Sequence, residues 1–246
     1  MIHYHGTPIT PQTVAAKVLD GRHAFISFRE PRDLDVAAEV CQSFAVDNGA
    51  FSAWRSGKPV VDWAPYYEWA AGAKLFPSCD FAIIPDVIDG GEQDNDRLLL
   101  AWPLGHFGVP VWHLHESLER LARLVAEWPR LALGSSGQYR RPGSSVWWER
   151  IAEAMKVVCD GRGRPTVRLH GLRMLAPEIV SRVPFASADS TNVARNAAGG
   201  RWHGTYAPPN QDWRALVLAA RIEAVNAPQS WKEFDSQTSL FDLVGG

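Results

Sequence analysis

Short apolar runs alternate with amphipathic stretches along almost the whole chain. The runs are "IHYHG" (2–6), "HAFISF" (23–28), "SFAVDN" (43–48), "FAIIPD" (81–86), "VPVWHLH" (109–115), "RLALGSS" (130–136), "TVRLHG" (166–171) and "PFASADS" (184–190). Several are continuously apolar, the pattern of strands covered on both faces. Between them, apolar residues at helical spacing predict helices in "TPQTVAAKVLDG", "PRDLDVAAEVC", "DWAPYYEWAAGAKL", "EQDNDRLLLAW", "SLERLARLVAEW", "SSVWWERIAEAMKVV", "PEIVSRV" and "DWRALVLAARIEAVN". Capping signals mark several starts: Thr10 with Pro11, Ser117, Ser144 with Ser145, and Asp212.

Eight strands and eight helices in strict alternation predict an α/β fold, a (β/α)8 TIM barrel, rather than a doubly wound sheet. No linker or low-complexity break divides the chain, so residues 1–226 are expected to form one catalytic barrel. Residues 227–246 are polar until their last few positions and are expected to lie outside it.

Composition adds little against this picture. The 246 residues are 46% hydrophobic, ample for one large core, and the net charge of -2 carries no global basic signal for nucleic acid. The charge is uneven, however: residues 1–119 hold 8 Lys+Arg against 16 Asp+Glu, and residues 120–182 hold 12 against 5. Two readings stand, a basic face that meets phosphates and an ordinary solvated helix surface. Cys41, Cys79 and Cys159 are far apart and form no Cys/His cluster, which argues against a structural zinc knuckle and for reduced thiols in a cytoplasm. The N-terminus lacks a basic segment followed by an apolar one, and no run of about 18 apolar residues suggests a membrane span.

Candidate chemistry collects at the strand ends, where barrels of this type place their active sites. In order these are His3 and His5; Arg29; Asp47; Asp86; His113 and His115; Ser135 and Ser136; His170; and Asp189. A single Asp after a strand is ordinarily a helix cap. Three acids at three strand ends around one mouth are harder to assign wholly to capping. Two carboxylates flanking a glycosidic bond can divide the work: one attacks the anomeric carbon and the other moves the leaving group's proton. Phe51, four residues after Asp47, offers a flat face for a planar ring. A third acid can accept from ring N–H and amino donors such as those on guanine's Watson–Crick edge.

At this point the motifs resemble a family. "DNGAF" is similar to the Asp-Ser-Gly-Gly-Phe motif of the tRNA-guanine transglycosylases, and "IIPD" resembles the segment with their base-reading acid. "LALGSSG" resembles their Gly-Gly segment, and "FASADSTNVARN" the segment bearing the nucleophilic Asp; the four occur in the family's order. There are departures. Nothing supplies the family's Cys/His zinc cluster, Asn48 and Ala50 replace its small residues, and His113 or His115 stands where it has a base-contacting Gln. With the short chain, these features resemble the reduced relatives that act on DNA, the 7-deazaguanine DNA transglycosylases of phages and bacterial DNA-modification clusters.

The resemblance implies that Asp189 attacks C1′ of a deoxyguanosine while Asp47 manages the proton on departing and incoming bases. Asp86 would read the base edge and Phe51 would stack on it. Ser135 and Ser136 would offer backbone N–H groups, and His113, His115 and His170 would contribute to the base site. It implies no metal or other cofactor. The partners would be a 7-deazaguanine base and DNA, either single-stranded or with its target base flipped at a cost of about a few kcal/mol. Arg140, Arg141, Arg173, Arg195 and Arg201 are candidates for phosphate contacts. The setting would be the cytoplasm of a bacterium or an infected host, and tRNA is the alternative substrate. In the tail, "QTSLF" (237–241) resembles the peptide by which bacterial DNA enzymes dock on the sliding clamp, with Gln237 as the polar anchor and Leu240-Phe241 as the plug.

Two other readings compete. His-x-His in "IHYH", with a second pair in "HLH", suits a metal-dependent amidohydrolase-type barrel, with Asp189 as its acid. The 11 tryptophans suit a non-catalytic nucleic-acid module, although Trp69, Trp128, Trp147 and Trp148 fall in predicted helices.

Overall fold

A computed structural model describes residues 1–199 and 208–233. Nine parallel strands form its sheet: β1 (Ile2–Gly6), β2 (His23–Ser27), β3 (Ser43–Asp47), β4 (Cys79–Ile83), β5 (Gly108–Val109), β6 (Val111–His113), β7 (Arg130–Gly134), β8 (Arg168–Gly171) and β9 (Ser187–Ser190). Their order is β5-β4-β3-β2-β1-β9-β8-β7-β6. β5 and β6 flank Pro110, which has no N–H to give to a ladder. Its carbonyl still accepts from Ala132 N at 2.9 Å. β5 pairs with β4 and β6 with β7, so the two ends of the sheet lie one residue apart along the chain. The sheet is thereby nearly closed into a barrel.

Side-chain alternation then separates the lumen from the helix side. Tyr4, Phe25, Ala45, Phe81, Ile83, Val109, Val111 and Ala132 fill the lumen. Outward residues such as Ile26, Phe44 and Val46 pack under one set of helices: α1 (Gln12–Leu19), α2 (Leu34–Val40), α4 (Ala64–Ala73) and α10 (Gln211–Glu223). Trp112, Leu131, Leu133 and Leu169 pack under a second set, α6 (Leu118–Glu127), α7 (Ser145–Val158) and α8 (Pro177–Val180). α3 (Ala50–Arg55), α5 (Glu92–Ala101) and α9 (Asn192–Asn196) complete the order.

Several expectations need correction. The strands are shorter than their apolar runs: β4 ends at Ile83 and β7 at Gly134, leaving Asp86, Ser135 and Ser136 in loops. The chain holds more helices than eight, because α3 and α9 follow the third and last strands directly. α3 is too short to show a period. It starts because Gly49 turns the chain at φ 78° and the side chains of Asp47 and Asn48 each accept the N–H two residues on, at 3.1 and 2.7 Å. Ser117 caps α6, accepting from Arg120 N at 3.1 Å, but α10 is capped by Asn210 and not by Asp212. Asp212 instead pairs with Lys17 across the α1/α10 contact.

Part of the positive block is neutralised within the fold. Arg120 binds Asp96 and Glu116, and Arg123 binds Asp96, so acids from the negative segment neutralise them. Trp147 is fully buried, and Trp69, Trp128 and Trp148 pack against the two helix-side cores. The start of the tail runs over the helix side of the sheet: Ala227 and Trp231 pack on the second core, and Trp231 N donates to Gly163 O at 2.7 Å. Arg201, Gln237, Leu240 and Phe241 lie outside the described residues. Among the described residues, no helix is long and apolar enough to cross a membrane, and Cys41, Cys79 and Cys159 are partly buried free thiols.

Candidate active site

At the C-terminal ends of the strands the lumen opens into a cavity of about 360 Å³, within the range of roughly 300–1,000 Å³ common for small-molecule sites. Asp47, Asp86 and Asp189 all line it, from β3, from the loop after β4 and from β9. Phe51, His113, Ser135, Arg140 and Arg173 line it too.

The three carboxylates have different surroundings. Asp189 is buried and accepts from the backbone N–H of Arg173 at 2.8 Å, with His170 Nε2 3.5 Å from the same oxygen. Asp86 is held on both oxygens: Asn48 Nδ2 donates to one at 2.8 Å, and His113 Nε2 lies 2.9 Å from the other. Because His113 Nδ1 has no partner among the described residues, a ring proton on Nε2 is the one that meets Asp86. Asp47 accepts from Gly49 N. Burial raises its carboxyl to about 7; the charges of Asp189 and Asp86 push the same way, while Arg173 and the Gly49 N–H pull it down. One acid is therefore poised to exchange a proton near neutrality, beside another fixed by a backbone donor.

His115, Ser136 and His170 do not reach the cavity. Both ring nitrogens of His115 are occupied, by Ser136 Oγ at 2.6 Å and Gly90 O at 3.1 Å, and the ring stacks behind His113. His170 is fully buried under the floor, bonded to Ser187 Oγ at 2.9 Å and packed on Tyr4, Phe25 and Phe81. Its place is behind Asp189, outside the cavity lining. Ser135 does reach the cavity, with its hydroxyl taking the Trp147 indole N–H at 2.9 Å.

His3 and His5 point the opposite way from their expected place at the mouth. Tyr4 faces the lumen, so its neighbours face out. His3 Nε2 meets Val225 O at 2.7 Å, and His5 Nε2 meets Glu223 at 2.8 Å. They are packed under α10, and among the described residues no group of three His, Cys, Asp or Glu is arranged to hold a metal.

Other contributors carried no motif. Ser27 lines the cavity, and its hydroxyl has no partner among the described residues. Asn48 reads locally as a turn residue, yet it also ties Asp86 and the Ile84 carbonyl to β3. Glu116 is buried behind the site, where it accepts from His113 N at 2.8 Å, Asn95 Nδ2 at 2.8 Å and Arg120 Nη1 at 2.6 Å. Asn95 in turn accepts from Val87 N at 2.7 Å. Glu116 thus braces both the loop that carries Asp86 and the strand that carries His113. Glu116→Gln is expected to cost about 2 kcal/mol of stability, since it weakens several charge-assisted bonds at once while Arg120 keeps Asp96. Urea unfolding measures this; an unchanged midpoint would remove the bracing role.

The rim is cationic. Arg140 and Arg173 line the cavity, and Arg55 and Arg195 lie near enough to act on the Arg173 charge. Arg55 ends α3 and had no signal beyond that position. Arg141 is exposed beside Arg140, and its carbonyl takes the Ser144 N–H at 3.3 Å and hydroxyl at 2.9 Å. The aromatic pair Phe51 and Trp54, 5.5 Å between ring centroids, lies alongside, with Trp54 44% exposed.

No family model, characterised protein or solved structure matches this chain.

Proposed function

We propose that this chain is a base-exchange transglycosylase that replaces guanine in DNA with a 7-deazaguanine derivative, working on a (β/α)8 barrel. The observation that carries the reading is the convergence of Asp47, Asp86 and Asp189 on one cavity, with Asp47 titrating near neutrality beneath an arginine rim. Taking Gly108–Val109 and Val111–His113 as one strand interrupted at Pro110 brings the strand number to the eight of that barrel.

The chemistry follows from the roles. The Asp189 carboxylate attacks C1′ of the nucleotide; the C1′–N9 bond breaks and its electron pair leaves with guanine. Asp47, protonated, delivers its proton to a nitrogen of the departing base. The product is a glycosyl ester on Asp189. The incoming base then surrenders its N9 proton to the Asp47 carboxylate and attacks C1′, and the ester bond breaks back to the Asp189 carboxylate. Two inversions retain configuration, and Asp47 ends protonated as it began. Asp86, fixed by Asn48 and His113, has lone pairs for the N–H donors of a guanine edge. The rim arginines suit phosphates beside an extruded nucleotide.

The outward set of His3 and His5 weighs against the metal-hydrolase reading. Incubation with labelled guanine or 7-cyano-7-deazaguanine and, in parallel, DNA and tRNA tests the proposal. Label is expected in DNA; label in tRNA alone would replace the substrate, and label in neither would remove base exchange.

A further inference from the structure

Arg173 is the one non-glycine residue with a left-handed backbone among those described, at φ 59°. That conformation is uncommon for a side chain of this kind and points to a local constraint. Two contacts define it. The Arg173 N–H donates to Asp189, and its guanidinium carbon sits 3.5 Å from the centroid of the Phe51 ring. At that spacing the guanidinium is in van der Waals contact with the ring, so nothing else can lie between them. The residue is exposed at the rim, with its planar head laid on an aromatic face of the cavity.

A guanidinium is flat, delocalised and edged with N–H donors, which are features it shares with guanine. Phe51 therefore carries, in the free protein, a group of the same shape as the ring it is proposed to hold. We propose that the Arg173 guanidinium is a built-in occupant of the Phe51 face, that a planar heterocycle entering the cavity displaces it, and that the displaced cation takes up a phosphate beside the target nucleotide. This rests on the base-exchange reading above and adds to it a coupling between ring binding and strand binding. Burial disfavours the Arg173 charge where it now lies, Asp189 and Asp47 favour it, and Arg195 and Arg55 oppose it more weakly; a phosphate would replace the attraction of those two carboxylates when the side chain leaves. The backbone bond to Asp189 does not depend on the guanidinium, so the carboxylate keeps its donor when the side chain moves.

The full-length protein tests this through two ligands measured separately. R173G removes the guanidinium and suits the backbone at φ 59°, so its melting temperature is expected at or above that of the wild type. R173K keeps a charge but not the planar head. Free guanine and 7-cyano-7-deazaguanine, titrated calorimetrically, should bind R173G about 5- to 30-fold more tightly than wild type, the range set by loss of a cation–π contact. A single-stranded oligonucleotide should bind R173G more weakly, with a salt slope reduced by about 0.7, and should bind R173K nearly as the wild type does. A purely structural role would weaken both ligands together. Exchange by the wild type with unchanged or weaker free-base binding by R173G overturns the Arg173 assignment alone, as does an oligonucleotide affinity that R173G leaves intact. If neither protein binds a planar base and the wild type exchanges none, the base-exchange reading itself fails.

Discussion

Asp189→Asn is expected to abolish base exchange, lowering the rate by at least about 10⁴-fold, as removal of a covalent nucleophile does in other enzymes. The substitution is nearly isosteric, and the amide oxygen still accepts from Arg173 N, which holds the native carboxylate at 2.8 Å. Asp189 is only 3% exposed, and the neighbouring His170 keeps its bond to Ser187. The fold should survive, so circular dichroism and melting temperature should stay close to wild type. A covalent protein–DNA species, trapped by denaturing wild-type reactions lacking an incoming base, should vanish with the variant. Exchange at the normal rate by a folded Asp189→Asn protein would refute the nucleophile assignment. Retained exchange with no trappable adduct in either protein would instead point to direct displacement by the incoming base.

Asp47→Asn is expected to move activity and stability in opposite directions. The native carboxyl is raised from 3.8 to about 7, with burial the leading cause. Between these values the folded protein binds more protons than the unfolded chain, so stability falls as pH rises through that window. Well below pH 4 both states are largely protonated and the penalty is absent; above about pH 7 it is fully developed. Asparagine cannot ionise and escapes it. The variant should therefore be about 2–4 kcal/mol more stable than wild type at pH 8, a gain of roughly 5–10 °C in melting temperature for a chain of this size, with most of that difference gone at pH 4. Exchange should fall by about 10²–10⁴-fold, since the proton has no carrier. Equal melting temperatures at pH 8 would mean that Asp47 is not held near neutrality, and full activity would remove it from the proton transfers.

Stabilisation on loss of a charge is the mark of a residue kept for chemistry rather than packing. Glu116 gives the contrast: also a carboxylate and more deeply buried, it is matched by Arg120, Asn95 and the His113 N–H, and its neutralisation is expected to cost stability.

The alternation of strands and helices, and the positions of Asp47, Asp86 and Asp189 just past apolar runs, were legible in the one-dimensional pattern because backbone hydrogen bonding and apolar burial act over neighbouring residues. So was Ser117 as a cap, whose partner lies three residues away. Which side of each strand faces the lumen was not. In a parallel sheet covered on both sides, alternate positions are both apolar, and nothing local says whether Tyr4 or its flanking histidines turn inward. The curling of the sheet toward closure decided it, burying Tyr4 in the lumen and sending His3 and His5 to α10. The same holds for charge: the acidic and basic segments look opposed along the chain, yet Arg120 and Arg123 reach back to Asp96 across more than twenty residues. Arg173 is the sharpest case. Its place over Phe51 depends on bringing α3, after β3, and the loop after β8 to one rim. Contacts between side chains far apart in the chain are created by tertiary packing, and no periodicity encodes them.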